Sequence, residues 1–166
     1  MRNFFLAAGV AASILIGSTI TSRPVQAATA TSTIAVTATV LAFCTVTAAP
    51  LAFGNYSSTQ LDATTLLTIL CTPGTTYTVG LDQGVGTGAT VAVRLMDGTV
   101  AGSTLAYTIY SDTARTTVWG NTVGTNTVAG TGTGLPQTLT GFGRIPGAQL
   151  SAPGAYTDTV TATLTY

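Results

Sequence analysis

The amino-acid sequence predicts an all-β protein, a sandwich built from short strands. Threonine fills 37 of the 166 positions, and its β-branched side chain favours an extended backbone. Short apolar or alternating stretches recur about every eight to twelve residues, separated by turn residues such as Asp97-Gly98, as is typical of β-sandwiches. No stretch after residue 27 repeats its apolar residues with the 3.6-residue period of a helix.

The first 27 residues are typical of a cleaved secretory signal peptide. Arg2 supplies a positive start, residues 4–16 form an apolar run too short to span a bilayer comfortably, and Val25-Gln26-Ala27 offers small residues for cleavage. A retained membrane anchor is the alternative. Cleavage would leave a chain that begins at Ala28.

Residues 28–40 form an alternating segment with no turn after it. One face carries threonine or alanine, and the other carries Ile34, Val36, Ala38 and Val40. The next stretch, Leu41 to Thr47, is again apolar, and no Gly, Pro, Asn or Asp between the two could reverse the chain. One strand of about twenty residues would be several times the usual length. Either the strand bends between the layers of its own sandwich, or residues 28–40 leave it and add a strand to another chain.

The remaining chain, residues 41–166, is predicted to form the sandwich domain. Its predicted strands are Leu41 to Thr47, Thr64 to Cys71, Thr76 to Leu81, Thr90 to Met96, Thr104 to Tyr110, Gln137 to Arg144 and Ala155 to Tyr166. Residues 118–134 are rich in Gly, Thr and Asn and predict a long loop that holds one short strand around Trp119.

The last predicted strand has the most regular pattern. Threonines occupy one face, and the other face is predicted to lie in the core; its members are Tyr156, Val160, Ala162, Leu164 and Tyr166. Such period-two alternation indicates a strand with one side against a core and one side in water. We therefore expect this strand to be an integral part of the fold.

The two cysteines, Cys44 and Cys71, are predicted to form a disulfide. A thiol pair in an exported chain is more often bridged than catalytic or metal-bound. Two buried free thiols are the alternative.

Composition argues against most enzymes and against nucleic-acid binding. Only 6% of residues are charged, and the chain has no Lys, Glu or His. The chain therefore lacks a dense cationic surface, Ser-His or Cys-His nucleophile pairs and the commonest zinc ligand. No motif indicates a cofactor, a metal or a small-molecule substrate. Tyr107, Tyr110 and Trp119 could form a sugar-binding platform, although in a sandwich they more often pack in the core.

Several stretches, taken in order, resemble the spore coat protein U domain family. They are Cys44-Thr45-Val46-Thr47, Leu51-Ala52-Phe53-Gly54-Asn55-Tyr56, Ile69-Leu70-Cys71-Thr72-Pro73-Gly74, Arg94-Leu95-Met96, Leu105-Ala106-Tyr107, Trp119-Gly120, Gly143-Arg144-Ile145 and Gly154-Ala155-Tyr156-Thr157-Asp158. That family includes rod subunits of archaic chaperone-usher pili.

The resemblance implies an immunoglobulin-like sandwich that lacks one strand, with residues 28–40 as the donor strand for the next subunit. It also implies a periplasmic chaperone, an outer-membrane usher and copies of the same chain as partners, on a secreted pilus that supports adhesion or biofilm formation. Two other functions stay open. One is a non-fibrous spore-coat or cell-surface structural protein that completes its own sandwich, and the other is a carbohydrate-binding module.

Overall fold

The computed structural model describes residues 24–166, and the chain divides into two units, Met1–Ala38 and Thr39–Tyr166. The predicted signal peptide, residues 1–27, lies mostly outside the described residues. In the first unit, residues 24–38 form no helix or strand, and their side chains are exposed. In the part of the chain that the structure describes, no helix has the length and hydropathy needed to cross a membrane.

The second unit contains nine strands in two sheets, and every pair of neighbouring strands is antiparallel. The strands are β1 (Cys44–Ala48), β2 (Leu61–Cys71), β3 (Thr76–Leu81), β4 (Arg94–Gly98), β5 (Thr104–Tyr110), β6 (Val128–Thr131), β7 (Gln137–Ile145), β8 (Tyr156–Thr157) and β9 (Ala162–Thr165). One sheet has the order β1-β2-β7-β5-β4-β8 and the other β6-β3-β9. The predicted all-β, two-layer fold is confirmed.

The core lies between the two sheets and follows the alternation of the strands. On β2, Leu67 and Ile69 are buried, whereas their neighbours Leu66 and Leu70 are 50% and 40% exposed on the opposite face. Val79 of the three-stranded sheet is also fully buried. Each such aliphatic side chain stabilises the fold by about 1.5–3 kcal/mol through its removal from water.

Strands β3 and β5 have the bounds that the sequence predicts, but the loop at 118–134 differs. The predicted short strand around Trp119 is reduced to one isolated bridge between Val118 and Tyr110. A strand forms instead at Val128–Thr131 and pairs with β3. Its sequence, Val-Ala-Gly-Thr, has no apolar alternation, so the local pattern gives no indication of it.

Contact with β3 decides where β6 lies. A Cβ atom on Gly130 would stand 2.5 Å from Cζ of Tyr77, so only glycine lets the β6 backbone approach that ring. Trp119 precedes β6 in the chain, and its side chain is fully buried. Its indole Nε1 donates a hydrogen bond of 2.9 Å to the carbonyl of Val79. Trp119 is therefore a core residue, and the surrounding loop covers it.

The predicted strand Ala155 to Tyr166 is two strands in different sheets. β8 pairs with β4 in the large sheet, and β9 pairs with β3 in the small sheet. Between them, residues 158–161 form no strand ladder; Thr161 donates its N–H to Oδ1 of Asp82, and its carbonyl accepts a hydrogen bond from the N–H of Asp82. Tyr166 is 56% exposed, so the apolar side of β9 ends at Leu164, and the prediction of Tyr166 as a core residue is wrong.

Candidate functional site

The free edges of the two sheets face each other on one side of the second unit. Strand β1 ends the large sheet and β9 ends the small one. The start of β1 lies near the end of β9, because residues 40–42, residues 72–76 and Tyr166 line one shallow depression of about 520 Å³. Residues that follow β1 and residues that precede β9 meet at the other end. The two edge strands therefore run in opposite directions across the gap.

A cleft of about 480 Å³ opens between these edges, and we call it the main cleft. Its walls are residues 48–53 on one side and residues 156–162 on the other. Its floor is made of core side chains, among them Leu67, Tyr107 and Ile109, which are at most 4% exposed. The main cleft thus reaches the interior between the sheets, and an apolar side chain placed in it would contact the core directly.

Parts of the backbone in both walls have no main-chain partner, although Ala48, Tyr156 and Thr157 pair within the large sheet. Within residues 24–166, no main-chain hydrogen bond involves residues 50–55, and Val160 makes none through its own backbone. Strand β9 pairs with β3 on one side only. Unpaired N–H and C=O groups at a sheet edge are a template for another strand. The main cleft therefore offers both apolar contacts and hydrogen-bonding groups to an extended segment.

Two carboxylates hold the wall formed by residues 156–162. Oδ1 of Asp82 accepts hydrogen bonds from the backbone N–H of Thr161 at 2.8 Å and of Gly84 at 2.9 Å. Asp158 accepts 2.8 Å and 2.7 Å hydrogen bonds from the N–H of Val85 and the phenol of Tyr107. Burial opposes ionisation of Asp82, but these backbone N–H groups outweigh it and lower the pKa of that carboxyl. Burial and the bond to Asp158 raise the pKa of Tyr107.

The opposite wall contains apolar side chains that fit against a glycine. The rings of Phe53 and Tyr107 meet edge to face, with centroids 5.9 Å apart. A Cβ atom on Gly143 would lie 2.7 Å from Cζ of Phe53 and 2.9 Å from a methyl carbon of Leu51. Glycine at 143 therefore makes the space in which the wall packs on β7.

A second cleft of about 750 Å³ continues from the main cleft, between residues 51–56 and residues 151–156. The two clefts share Leu51, Phe53, Met96 and Tyr156 in their linings. The phenol of Tyr56 donates to the carbonyl of Pro146 at 2.9 Å and holds this end in place. Together the clefts form a continuous groove along the open side.

The sequence-predicted residues form three groups. Cys44 and Cys71 form a disulfide between β1 and β2, beside the start of the open edge. The apolar residues of the predicted donor segment are exposed, at 88% for Ile34, 87% for Val36 and 83% for Val40, and Ala38 is exposed as well. In the C-terminal group, four side chains pack against the core, namely Tyr156, Val160, Ala162 and Leu164.

The wall formed by residues 48–53 is not among the sites predicted from the sequence. Its signal is an apolar stretch with Leu51 and Phe53 directly after a proline, Pro50, which cannot donate to a strand ladder. That combination indicates an apolar stretch without strand pairing, but it does not indicate that residues 156–162 lie opposite.

Other candidate chemistry is not assembled by the fold. Among residues 24–166, no three His, Cys, Asp or Glu side chains come together as metal ligands would. Trp119 is fully buried and Tyr107 is 4% exposed, so these two residues pack in the core and cannot form a sugar-binding platform with Tyr110. Asp62 of β2 forms ion pairs with Arg144 of β7 and with Arg115 of the loop after β5, outside both clefts.

Comparisons with known proteins agree with this architecture. The model of the Spore Coat Protein U domain matches residues 30–163. "Protein U" of Myxococcus xanthus is 35% identical over 104 residues, which are 60% of this chain and 58% of that relative's length. A chain in the crystal structure of a chaperone-tip adhesion subunit pre-assembly complex, from the archaic chaperone-usher Csu pili of Acinetobacter baumannii, has a similar fold. That match has a TM-score of 0.58 and 24% identity, and covers 77% of this chain and 40% of the other.

Proposed function

This chain belongs to the Spore Coat Protein U domain family, and we propose that within it the chain is a structural subunit of a secreted surface pilus. In this proposal the subunits join by donor-strand complementation, and the role is structural, without catalysis. The observation that carries it is the groove described above, an open, apolar gap between two free sheet edges in a chain whose residues 28–40 are exposed and alternating.

The donor segment, residues 28–40, has the chemistry that the main cleft requires. Ile34, Val36, Ala38 and Val40 share one face in an extended backbone. In the main cleft they would cover core side chains such as Leu67 and Ile109, and their backbone would pair with β9. Neither apolar burial nor backbone pairing is available to the segment in water, which favours order only in the groove of a neighbour.

Such assembly gives a filament because the two surfaces involved are different. Each copy would give its donor segment and receive another, so the contact is heterologous and does not close on itself. Before assembly the open groove is an aggregation hazard. A periplasmic chaperone that covers the groove and an outer-membrane usher that exchanges the chaperone for the next subunit are the proposed partners, with adhesion or biofilm formation as the proposed role of the fibre at the cell surface.

A self-completed coat or surface protein is the second candidate, favoured by the match to the spore coat domain and to "Protein U". Under that function residues 29–40 would pair within their own copy. The exposure of Ile34, Val36 and Val40 supports donation instead.

The proposal is tested by deleting residues 28–38 while the signal peptide is kept. We expect secreted subunits that form no filaments by electron microscopy, and that bind a synthetic peptide of residues 28–40 added in trans. A peptide in which the residues of the two faces are exchanged is the matched control, and it should not bind. Filaments that persist after the deletion, or a deletion variant that is stable and indifferent to both peptides, would count against donation.

A further inference from the structure

We infer that neighbouring subunits make a second contact, in which Leu41 and Phe43 of one copy lie at the second cleft of the next. This inference rests on the proposed function, since it requires that residues 28–40 enter a neighbour. It adds an interface that the donor segment does not provide, and the partner is another copy of this chain.

The connection between the donor segment and β1 is short. Val40 is the last predicted donor residue, and Cys44 begins β1 four residues later. Four extended residues reach at most about 14 Å. Phe43 is already fixed to its own sandwich, because its carbonyl accepts a 2.9 Å hydrogen bond from the N–H of Thr72. The body of the donating copy must therefore touch the rim of the groove that holds its donor segment.

The antiparallel pairing of the strands indicates in which direction the donor segment would run in that groove. All strand pairs of the second unit are antiparallel, and antiparallel pairs are slightly more stable per residue. A segment that extends the β6-β3-β9 sheet in the same manner runs opposite to β9. Its first residues then lie near Tyr166, and Val40 leaves the main cleft past Tyr156, where the second cleft begins.

The side chains of Leu41 and Phe43 and the lining of the second cleft are chemically compatible. Leu41 is 78% exposed and Phe43 is 62% exposed in the single copy, which is unusual for large apolar side chains so close together in sequence. The second cleft is lined by partly buried side chains that include Leu51, Phe53 and Tyr156, by polar groups such as Asn55 and Ser151, and by no charged side chain. Contact between the two would bury apolar area without removing a charge from water.

Cross-linking of assembled filaments tests the contact. The chain has two cysteines, both in the disulfide, so an added thiol pair is the only reactive one. Leu41→Cys is combined with Ala155→Cys or with Ala52→Cys, two exposed alanines that line the second cleft. We expect a short bis-maleimide to give a ladder of covalent oligomers that survives boiling in detergent.

Two further pairs serve as controls. Leu41→Cys with Val123→Cys places the second thiol on an exposed loop residue that lines neither cleft, and we expect no ladder. Leu41→Cys with Thr75→Cys places it near the opposite end of the open edge. A ladder from the Thr75 pair in place of the Ala155 and Ala52 pairs, or no ladder from filaments that do assemble, overturns the inference. Failure of the unmodified chain to form filaments would instead contradict the proposed function.

A substitution that creates no thiol gives an independent test. Phe43→Ser should leave capture of a donor peptide by the isolated subunit unchanged, because Phe43 lines neither the main cleft nor the depression beside Tyr166. Filaments of this variant should be more flexible by electron microscopy and should dissociate at a lower temperature. Val123→Ser is the matched control. Filaments indistinguishable from the unmodified ones would contradict the second contact.

Discussion

The guanidinium of Arg94 donates a hydrogen bond of 2.8 Å to the main-chain carbonyl of Trp119, and both side chains are fully buried. The same guanidinium donates to the carbonyls of Leu81, Asp82 and Val91. Arg94 thus joins the end of β3, the start of β4 and the loop that carries the tryptophan. It does so with carbonyl acceptors, without a carboxylate in direct contact.

Arg94→Met is expected to lower the free energy of unfolding by about 3–5 kcal/mol, because several buried carbonyls lose their donor at once. Arg94→Lys should recover little, since an ammonium group on a shorter reach cannot meet the same four acceptors. Urea unfolding followed by tryptophan fluorescence measures the change. Arg144→Met, at a partly exposed ion pair, is the control and should cost less than about 1 kcal/mol. Equal effects at the two positions would show that burial of Arg94 is not what matters.

Charge on one face of the donor segment should block polymer formation, and charge on the other face should not. Val36→Asp would place a carboxylate against the apolar floor of the main cleft, where an unpaired charge is strongly disfavoured. Thr37→Asp, one residue later, faces away in an extended strand. We expect filaments by electron microscopy from the second variant and none from the first. Equal loss in both variants would contradict the predicted face.

Loss of the disulfide should weaken the domain by about 3–4 kcal/mol, because Cys44 and Cys71 are 27 positions apart and close a loop of that size. The variant with both cysteines changed to serine is compared with the unmodified chain by thermal unfolding, and each single variant controls for a lone thiol. The strand β1 lies at the free edge of its sheet. Peptide capture by the double variant should therefore fall with its stability, and unchanged unfolding in reductant would contradict this role.

Acid should destabilise the domain through carboxyls whose pKa is lowered in the folded state. Hydrogen bonds from the Arg144 side chain lower the pKa of Asp62, and backbone N–H groups outweigh burial to lower the pKa of Asp82, both from an ordinary value of 3.8. Their stabilisation is present above about pH 4 and is lost as the pH falls through the lowered values. The free energy of unfolding should be flat near neutrality and decline below about pH 4.

Asp82→Asn makes this pH dependence specific. The amide keeps an acceptor for Thr161 but has no proton to take up, so the decline below about pH 4 should be shallower than in the unmodified chain. Asp97→Asn is the control, since its side chain is in none of the hydrogen bonds among residues 24–166. A decline of the same steepness in the Asp82 variant would show that this carboxyl does not contribute.

The hydroxyl of Tyr107 is expected to hold the wall of the main cleft in the shape that receives a donor. Tyr107→Phe removes the 2.7 Å bond to Asp158 and leaves a partly buried carboxylate with fewer donors. We expect weaker binding of the donor peptide by roughly tenfold, measured by titration calorimetry, with a loss of stability of about 1–3 kcal/mol. Tyr110→Phe on the same strand is the control, and an equal loss there would contradict the assignment.

The amino-acid sequence alone predicts the all-β class, the strands β3 and β5 and the pairing of the two cysteines, because strand propensity, turn residues and alternation act over a few neighbouring residues. It could not divide residues 155–166 between two sheets. The inner faces of both sheets point at the same core, so the alternation from Tyr156 to Leu164 continues unbroken while the chain crosses from one sheet to the other.

Three features follow from long-range packing and not from local sequence: Arg94 is buried, Val128–Thr131 is a strand, and residues 48–53 and 156–162 face each other across an open cleft. Each of these depends on groups that are far apart in the chain, such as the carbonyl of Trp119 for Arg94 and the ring of Tyr77 for Gly130. No local sequence pattern indicates a cleft between two sheet edges, because the cleft lies where neither edge has a neighbouring strand. The apolar face of residues 28–40 could be predicted from the sequence, but the cleft that is proposed to receive it could not.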